Sequence, residues 1–187
     1  MGLLVVIAIV AVIVFWGIGI YNRLIRLRNQ VTNGWRQIDV QLKRRHDLIP
    51  NLVNTVKGAM EFERDTLTRV MEARAKAVSA TTPAAAARAE GELTQALGRL
   101  FALAENYPSL KASENVKMLQ EELSSTENKI GFARQFYNDI ATSYNNARET
   151  FPSNMIASSM GFKPAELFEL TDEAERAVPA VDLTMKQ

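Results

Sequence analysis

The chain contains no cysteine and a single histidine, His46. Without cysteine there is no disulfide framework, no thiolate nucleophile and no site for lipoprotein acylation. The lack of cysteine also suits a reducing compartment. One histidine excludes most metal and proton-transfer chemistry. The di-iron site of helical bundles needs Glu-x-x-His on two helices, and no serine has a histidine beside it in sequence to activate it. Nine glycines are scattered along 187 residues and form neither a P-loop nor a dinucleotide fingerprint. His46 lies between Arg45 and Asp47 and reads as a surface or capping residue rather than a ligand. Acidic neighbours such as Glu121 and Glu122 fall on different sides of a helix. The expectation is therefore no enzyme, no catalytic residue, no cofactor and no metal, with a hydrolase working through carboxylates alone as the residual alternative. A formal net charge of +1 argues against a general nucleic-acid binder.

What the chain does have is one long apolar run. From Leu3 to Ile20 there is no charge, hydroxyl, amide or proline over 18 residues. A helix of that length is about 27 Å long at 1.5 Å per residue, close to the roughly 30 Å hydrocarbon core of a bilayer. In lipid every backbone N–H and C=O needs an internal partner, so a single span is helical. A cleaved signal peptide fits less well. No cationic segment precedes the run, the run is too long, and no small-x-small site follows it. Phe15, Trp16 and Tyr21 suit the aromatic belt of one interface.

Charge is distributed unevenly about this run. Tyr21 to Leu48 carries seven cations against two anions, and the rest of the chain 15 against 19. Arg23, Arg26 and Arg28 follow the run closely, and no side-chain cation precedes it. The positive-inside rule then puts the N-terminus outside and the body in the cytoplasm, in a single-pass inner-membrane topology. The same arginines also attract anionic lipid headgroups.

The body is periodic at helical spacing. Leu24, Leu27, Val31, Trp35, Ile38 and Leu42 form one stripe, so the span is expected to continue unbroken into a cytoplasmic helix, with Gly34 its weakest point. Asp47 reads as an N-cap and Pro50 as the first turn of a second helix, from about Leu48 to Ser79. Glu63 and Arg74 fall on the apolar seam of that helix, as helix-edge or interhelix ion-pairing residues. Thr82 and Pro83 start a third helix. Its Ala84 to Arg88 end is expected to protrude and pack poorly, and Pro108 to stop it. The fourth helix has the strongest repeat, Val116, Leu119, Leu123, Thr126, Ile130, Ala133, Tyr137, Ile140, Tyr144, Ala147 and Phe151, alternating three and four residues apart. Such a seam implies knobs-into-holes packing. Ser109 or Ser113 caps its start. Asn138, Asn145 and Asn146 are the expected partners for the tyrosine hydroxyls. Phe162, Leu167, Phe168 and Leu170 are apolar enough to dock, and the segment Pro179 to Leu183 reads as extended. The predicted architecture is all-α: an anchor over 1–20, an up-down antiparallel four-helix bundle over 21–162, and a tail over 163–187 that is partly docked or disordered.

Several of these segments, taken together, resemble the LemA family of bacterial membrane proteins along nearly the whole chain. They are Tyr21 to Leu24, Gln41 to Val53, Ala104 to Pro108 with Leu110 to Ala112, Thr126 to Ile130, Ala133 to Gln135 with Tyr137 and Asn138, and Phe151 to Asn154. The resemblance implies a short outside N-terminus, one span, a cytoplasmic helical bundle and no established enzymatic activity. Some relatives begin as lipoproteins; with no cysteine, this chain departs from them. The signature polar and capping positions are Arg44, Arg45, Asp47, Pro50, Asn51, Glu105, Asn106, Tyr107, Pro108, Glu127, Asn128 and Arg134. They read either as structural caps and stops or as an interaction surface. Small residues at Ala8, Ala11, Gly17 and Gly19 allow close approach of neighbouring spans. The leading expectation is a membrane-anchored scaffold that forms homo-oligomers. The alternative is an accessory of membrane proteolysis or envelope quality control, because some family members occur beside a membrane-bound zinc metalloprotease, which would be the partner.

Overall fold

The computed structural model describes residues 1–169, and among them every regular element is helical. Leu170 and the segment Pro179 to Leu183, expected to dock and to be extended, lie outside the described residues. Six helices follow in order: α1 (Gly2–Lys57), α2 (Arg64–Ser79), α3 (Pro83–Ala104), α4 (Pro108–Ala112), α5 (Glu114–Glu149) and α6 (Ser153–Ser159).

The apolar run and the first body stripe are one helix of 56 residues, about 84 Å long at 1.5 Å per residue. Its N-terminal third is almost wholly exposed: Leu3, Ile7, Val12 and Phe15 have no protein neighbours to cover them. Burial begins at Leu24 and recurs at Gly34, Ile38, Leu42, Ile49, Leu52 and Val56. Gly34 does not interrupt the helix. It lets Tyr137 close on α1: a Cβ there would lie 3.5 Å from Tyr137 Cδ2.

Helix α5 runs antiparallel to α1. Leu24 shares a cluster with Tyr144, Gly34 meets Tyr137, and Arg44 pairs with Glu122, so residue numbers fall on one helix as they rise on the other. Helices α2 and α3 form a second antiparallel pair, tied on the surface by Lys76 and Glu92 at 2.9 Å. The largest apolar cluster draws Ile49, Leu52 and Val56 from α1, Val70 from α2, Leu93, Leu97 and Leu100 from α3, Leu110 from α4 and Leu123 from α5.

Several boundaries differ from the sequence reading. The helix does not restart at Asp47, which is an exposed residue inside α1; Pro50 also lies inside α1. The true break is residues 58–63. Here the backbone turns through Ala59 N to Val56 O at 3.1 Å, and fully buried Met60 plugs the core. Thr82 caps α3 as expected, accepting from Ala85 N at 3.2 Å, with Pro83 behind it. The alanine-rich start of α3 does not protrude. Ala86 and Ala87 are buried in a cluster with Ile38, Leu42, Ile130 and Phe168, because their small side chains let α3 lie close. Pro108 is the first residue of α4 rather than the end of α3, which closes at Ala104. Ser113 sits at the N-cap of α5 without a side-chain capping bond. On α5, Val116, Leu123, Thr126, Ile130, Tyr137 and Tyr144 are buried as the heptads require. Near its end the buried position is Ala141 rather than Ile140, and Phe151 is exposed.

The chain returns over α5 after α6. Gly161, at φ +69°, closes α6 in the left-handed conformation that glycine adopts without strain. Gly161 N donates to Ser158 O, and Phe162 N to Ala157 O at 3.0 Å, a paired C-terminal cap that turns Phe162 inward. Residues 163–168 then run along α5. The tyrosine hydroxyls find their partners here rather than in the asparagines: Tyr137 donates to Glu166 O at 2.7 Å and Tyr144 to Lys163 O at 2.8 Å. Asn138 and Asn145 instead grip the backbone of Phe168 and Ala165, each donating to the carbonyl and accepting from the N–H.

Candidate functional site

The chemistry of the body concentrates around one turn of α1. A proline inside a helix has no N–H, so the carbonyl four residues earlier loses its donor. For Pro50 that carbonyl belongs to His46. Arg74 of α2 supplies the missing donor: its Nε lies 2.7 Å from His46 O. The same turn carries Arg45 and His46, both buried, and both meet one carboxylate on α3. Arg45 Nη1 donates to Glu90 Oε2 at 3.1 Å, and His46 Nε2 donates to Glu90 Oε1 at 2.6 Å. Arg45 Nη2 also donates to Thr94 Oγ1 at 2.9 Å. Arg45, His46 and Glu90 are exposed by only 4, 8 and 5%, so removing any one partner leaves the others poorly compensated in a dry interior. Arg45 Nε is buried without a partner.

This node ties α1, α2 and α3 at one level, and it corrects two expectations. His46 is a buried member of a charged cluster rather than a surface residue. Arg74 makes an interhelix hydrogen bond to backbone rather than an ion pair. Glu63 occupies the N-cap position of α2 without a side-chain capping bond, and its carboxylate accepts from the Tyr107 hydroxyl at 3.3 Å. Burial and then the Glu63 carboxylate push the Tyr107 phenol above its ordinary value.

The other signature residues are spread over the body. Arg44 makes an exposed ion pair with Glu122. Asn51 is exposed, and its carbonyl accepts from the Thr55 hydroxyl at 2.7 Å. Glu105 is the C-cap of α3, Asn106 follows it in the exposed turn, and Pro108 opens α4. Glu127, Asn128 and Arg134 are exposed along α5. The signature therefore does not converge on one pocket. It divides into a buried helix-tying node and dispersed caps and surface positions. Glu90, its central carboxylate, lies outside the signature positions. Its signal was present all the same: Ala86, Glu90, Leu93, Leu97 and Leu100 share one helical stripe, and a carboxylate on such a stripe needs a buried cation.

Among the described residues no three His, Cys, Asp or Glu side chains gather where a metal would sit. The node is buried and can fix helix register.

The sequence profile of the LemA family matches residues 34–183. Protein LemA of Metamycoplasma hominis is 28% identical over 167 residues, covering 87% of this chain and 75% of that protein. Magnetosome protein MamQ 2 of Paramagnetospirillum magneticum is 37% identical over 81 residues, covering 43% of this chain and 30% of that protein. Magnetosome protein MamQ of Magnetospirillum gryphiswaldense is 35% identical over 80 residues, covering 43% of this chain and 29% of that protein. The long apolar helix and these relatives together point to membrane association.

Proposed function

The chain belongs to the LemA family, and on that premise we propose that it is a non-enzymatic scaffold anchored in the bacterial inner membrane, self-associating at the cytoplasmic face. The observation that carries this reading is α1 itself. One uninterrupted helix is both the exposed apolar segment and the spine against which α2, α3 and α5 bury their seams. Any contact between spans is thereby transmitted rigidly to the bodies. In this reading the body lengths of α1, α2, α3 and α5 form the up-down four-helix bundle, with Arg23, Arg26 and Arg28 holding it on the cytoplasmic side.

Two features support association between copies. Ala8 is exposed, Ala11 half-buried, and a Cβ on Gly19 would meet open space; small residues let helices approach closely in lipid. Phe132 and Phe136, one turn apart on α5, face outward from the body, an arrangement that suits a neighbouring surface. Repeated contacts between identical chains commonly close into rings where the rotation between copies permits. Native mass measurement of the full-length protein in mild detergent tests the proposal. A multiple of the chain mass supports it; one chain across a wide concentration range overturns it. Stoichiometric co-purification of a membrane protease instead would favour the adaptor reading.

A further inference from the structure

We infer that the elbow between α5 and α6 is a second membrane foot, with Phe151, Met155 and Met160 seated in the bilayer interface beside α1. The inference rests on the reading that α1 spans the bilayer. Its first support is position. Ile156 Cδ1 lies 4.0 Å from where a Cβ on Gly17 would stand, and Ala157 shares a buried cluster with Leu24. Helix α6 therefore lies against residues 17 to 24 of α1. These residues span about 10 Å of helix rise and straddle Ile20, where the apolar run ends. The headgroup region on each side of a bilayer core is roughly 5–8 Å thick. The elbow thus sits at the depth where the span leaves the hydrocarbon.

The second support is chemistry. Phe151, Met155 and Met160 are exposed by 75, 65 and 64%, although Ile156, Ala157 and Phe162 of the same segment turn inward. A fold that buries half of a short segment and exposes three large apolar side chains from the rest leaves that face for an apolar medium. The polar residues interleaved there, Ser153, Asn154, Ser158 and Ser159, suit the headgroup layer rather than the hydrocarbon. A groove between α1 and the elbow is lined by Trp16, Ile20, Phe151 and Ser153 toward the apolar run and by Arg23, Asn146 and Thr150 toward the body. Its polarity changes in the same direction as that of an interface.

The third support is charge. Arg23 lines the groove beside the elbow, Arg148 lies in the last turn of α5 paired to Glu149, and Lys163 follows α6 closely in sequence. The Arg28 guanidinium stands 5.5 Å over the Phe162 ring, anchored on the buried side of the elbow. Apolar side chains below a cationic collar match an interfacial segment held by lipid phosphates. Two attachment points, the span and the foot, fix the angle at which the body leaves the membrane, which one helix alone cannot do.

The chain lacks cysteine, so single labels are placed cleanly. Full-length Phe151→Cys and Met155→Cys, each carrying an environment-sensitive fluorophore, are reconstituted into vesicles of phosphatidylcholine and phosphatidylglycerol whose acyl chains carry quenchers at both shallow and deep positions, the deep one to reach the span control. Val12→Cys serves as the control inside the span, and Val78→Cys as the control on the far part of the body. All four positions are exposed, so the labels displace no core atoms. The expected result is blue-shifted emission with loss of intensity at residues 12, 151 and 155, and none at 78. Quenching at 12 but not at 151 or 155 overturns the foot and leaves the span standing. Absence of quenching at 12 overturns the span reading on which the foot rests. Blue-shifted but unquenched labels at 151 and 155 mean that protein, such as a second copy, covers the patch, which also overturns the foot.

Discussion

Arg74 Nε lies 2.7 Å from the carbonyl oxygen of His46, the oxygen that Pro50 leaves without its helical donor. A proline in a helix interior ordinarily costs about 3 kcal/mol or more. Here α2 supplies the missing hydrogen bond from outside the helix, and α1 continues through Pro50 for two more turns before Gly58.

Arg74→Met should therefore destabilise the protein by about 1–3 kcal/mol, the cost of leaving a buried acceptor unmet. In a Pro50→Ala background residue 50 regains its N–H, His46 O has an internal partner, and the same substitution should cost much less. Chemical unfolding of the four proteins in detergent gives the coupling. Equal costs in both backgrounds would show that Arg74 does not serve that carbonyl.

Glu90→Ala should cost about 3–5 kcal/mol, because it strands the Arg45 guanidinium and the His46 imidazole in a dry interior. Replacing Arg45, His46 and Glu90 together by apolar residues of similar size should recover much of that loss, since a buried ionic cluster exchanged for packed apolar groups is often nearly neutral. A loss below about 0.5 kcal/mol for Glu90→Ala, the size of an ordinary surface change, would mean that water reaches the node.

Proline at position 50 explains where the sequence misleads. Asp47 followed by Pro50 has the pattern of a helix start, and only a residue 24 positions later, Arg74, makes the proline tolerable. Such a long-range donor leaves no local trace. The alanines at 86 and 87 mislead likewise. Small side chains signal poor packing when read alone, yet they permit close packing when Ile38 and Ile130 lie opposite. What was legible depended on one residue and its helical neighbours: the apolar run, the unbroken stripe from Leu24 to Leu42, the Thr82–Pro83 start and the seam from Val116 to Tyr144. His46 could not be placed from its flanking charges, because the partner that buries it is on another helix.

The returning segment should detach at alkaline pH. Burial raises the Tyr137 phenol above 10.0, and the Glu166 carboxylate adds to the shift. Burial also raises Tyr144, with Arg148 and Arg28 opposing. A raised phenol means that the folded state holds the proton more tightly than the unfolded chain. The stabilisation is present in full below about pH 10 and is lost as pH rises through the folded value. A phenolate also cannot donate to Glu166 O or Lys163 O. Stability of the parent should fall more steeply above pH 10 than that of Tyr137→Phe, as read by unfolding at paired pH values. Parallel curves would dissociate these hydroxyls from the docking of residues 163–168.

In the proposed topology the arginines after the apolar run set the orientation. A reporter active only outside the cytoplasm, fused after Gln187, should be inactive in the parent. Placing three lysines before Leu3 and replacing Arg23, Arg26 and Arg28 with glutamine should switch it on in part of the population, because cation bias sets orientation. Strong activity in the parent would place the body on the other side.

The two candidate contact surfaces predict separable outcomes. Gly17 is already opposed by Ile156 of its own chain, so the span face left for another copy is Ala8, Ala11 and Gly19. Enlarging these three to isoleucine keeps the segment apolar and helical in lipid but removes close approach. The body face is Phe132 and Phe136, where serine removes apolar area without touching the buried seam at Ile130 and Tyr137. Native mass of full-length protein in mild detergent should fall toward one chain for the span variant, because Ile156 of the same chain meets Gly17 and not these three residues. The body variant should retain assembly but dissociate at higher protein concentration than the parent, as expected where one of two linked contacts is weakened. If the span variant keeps the parent's mass while the body variant falls to one chain, the membrane segment is a passive anchor and association belongs to α5 alone.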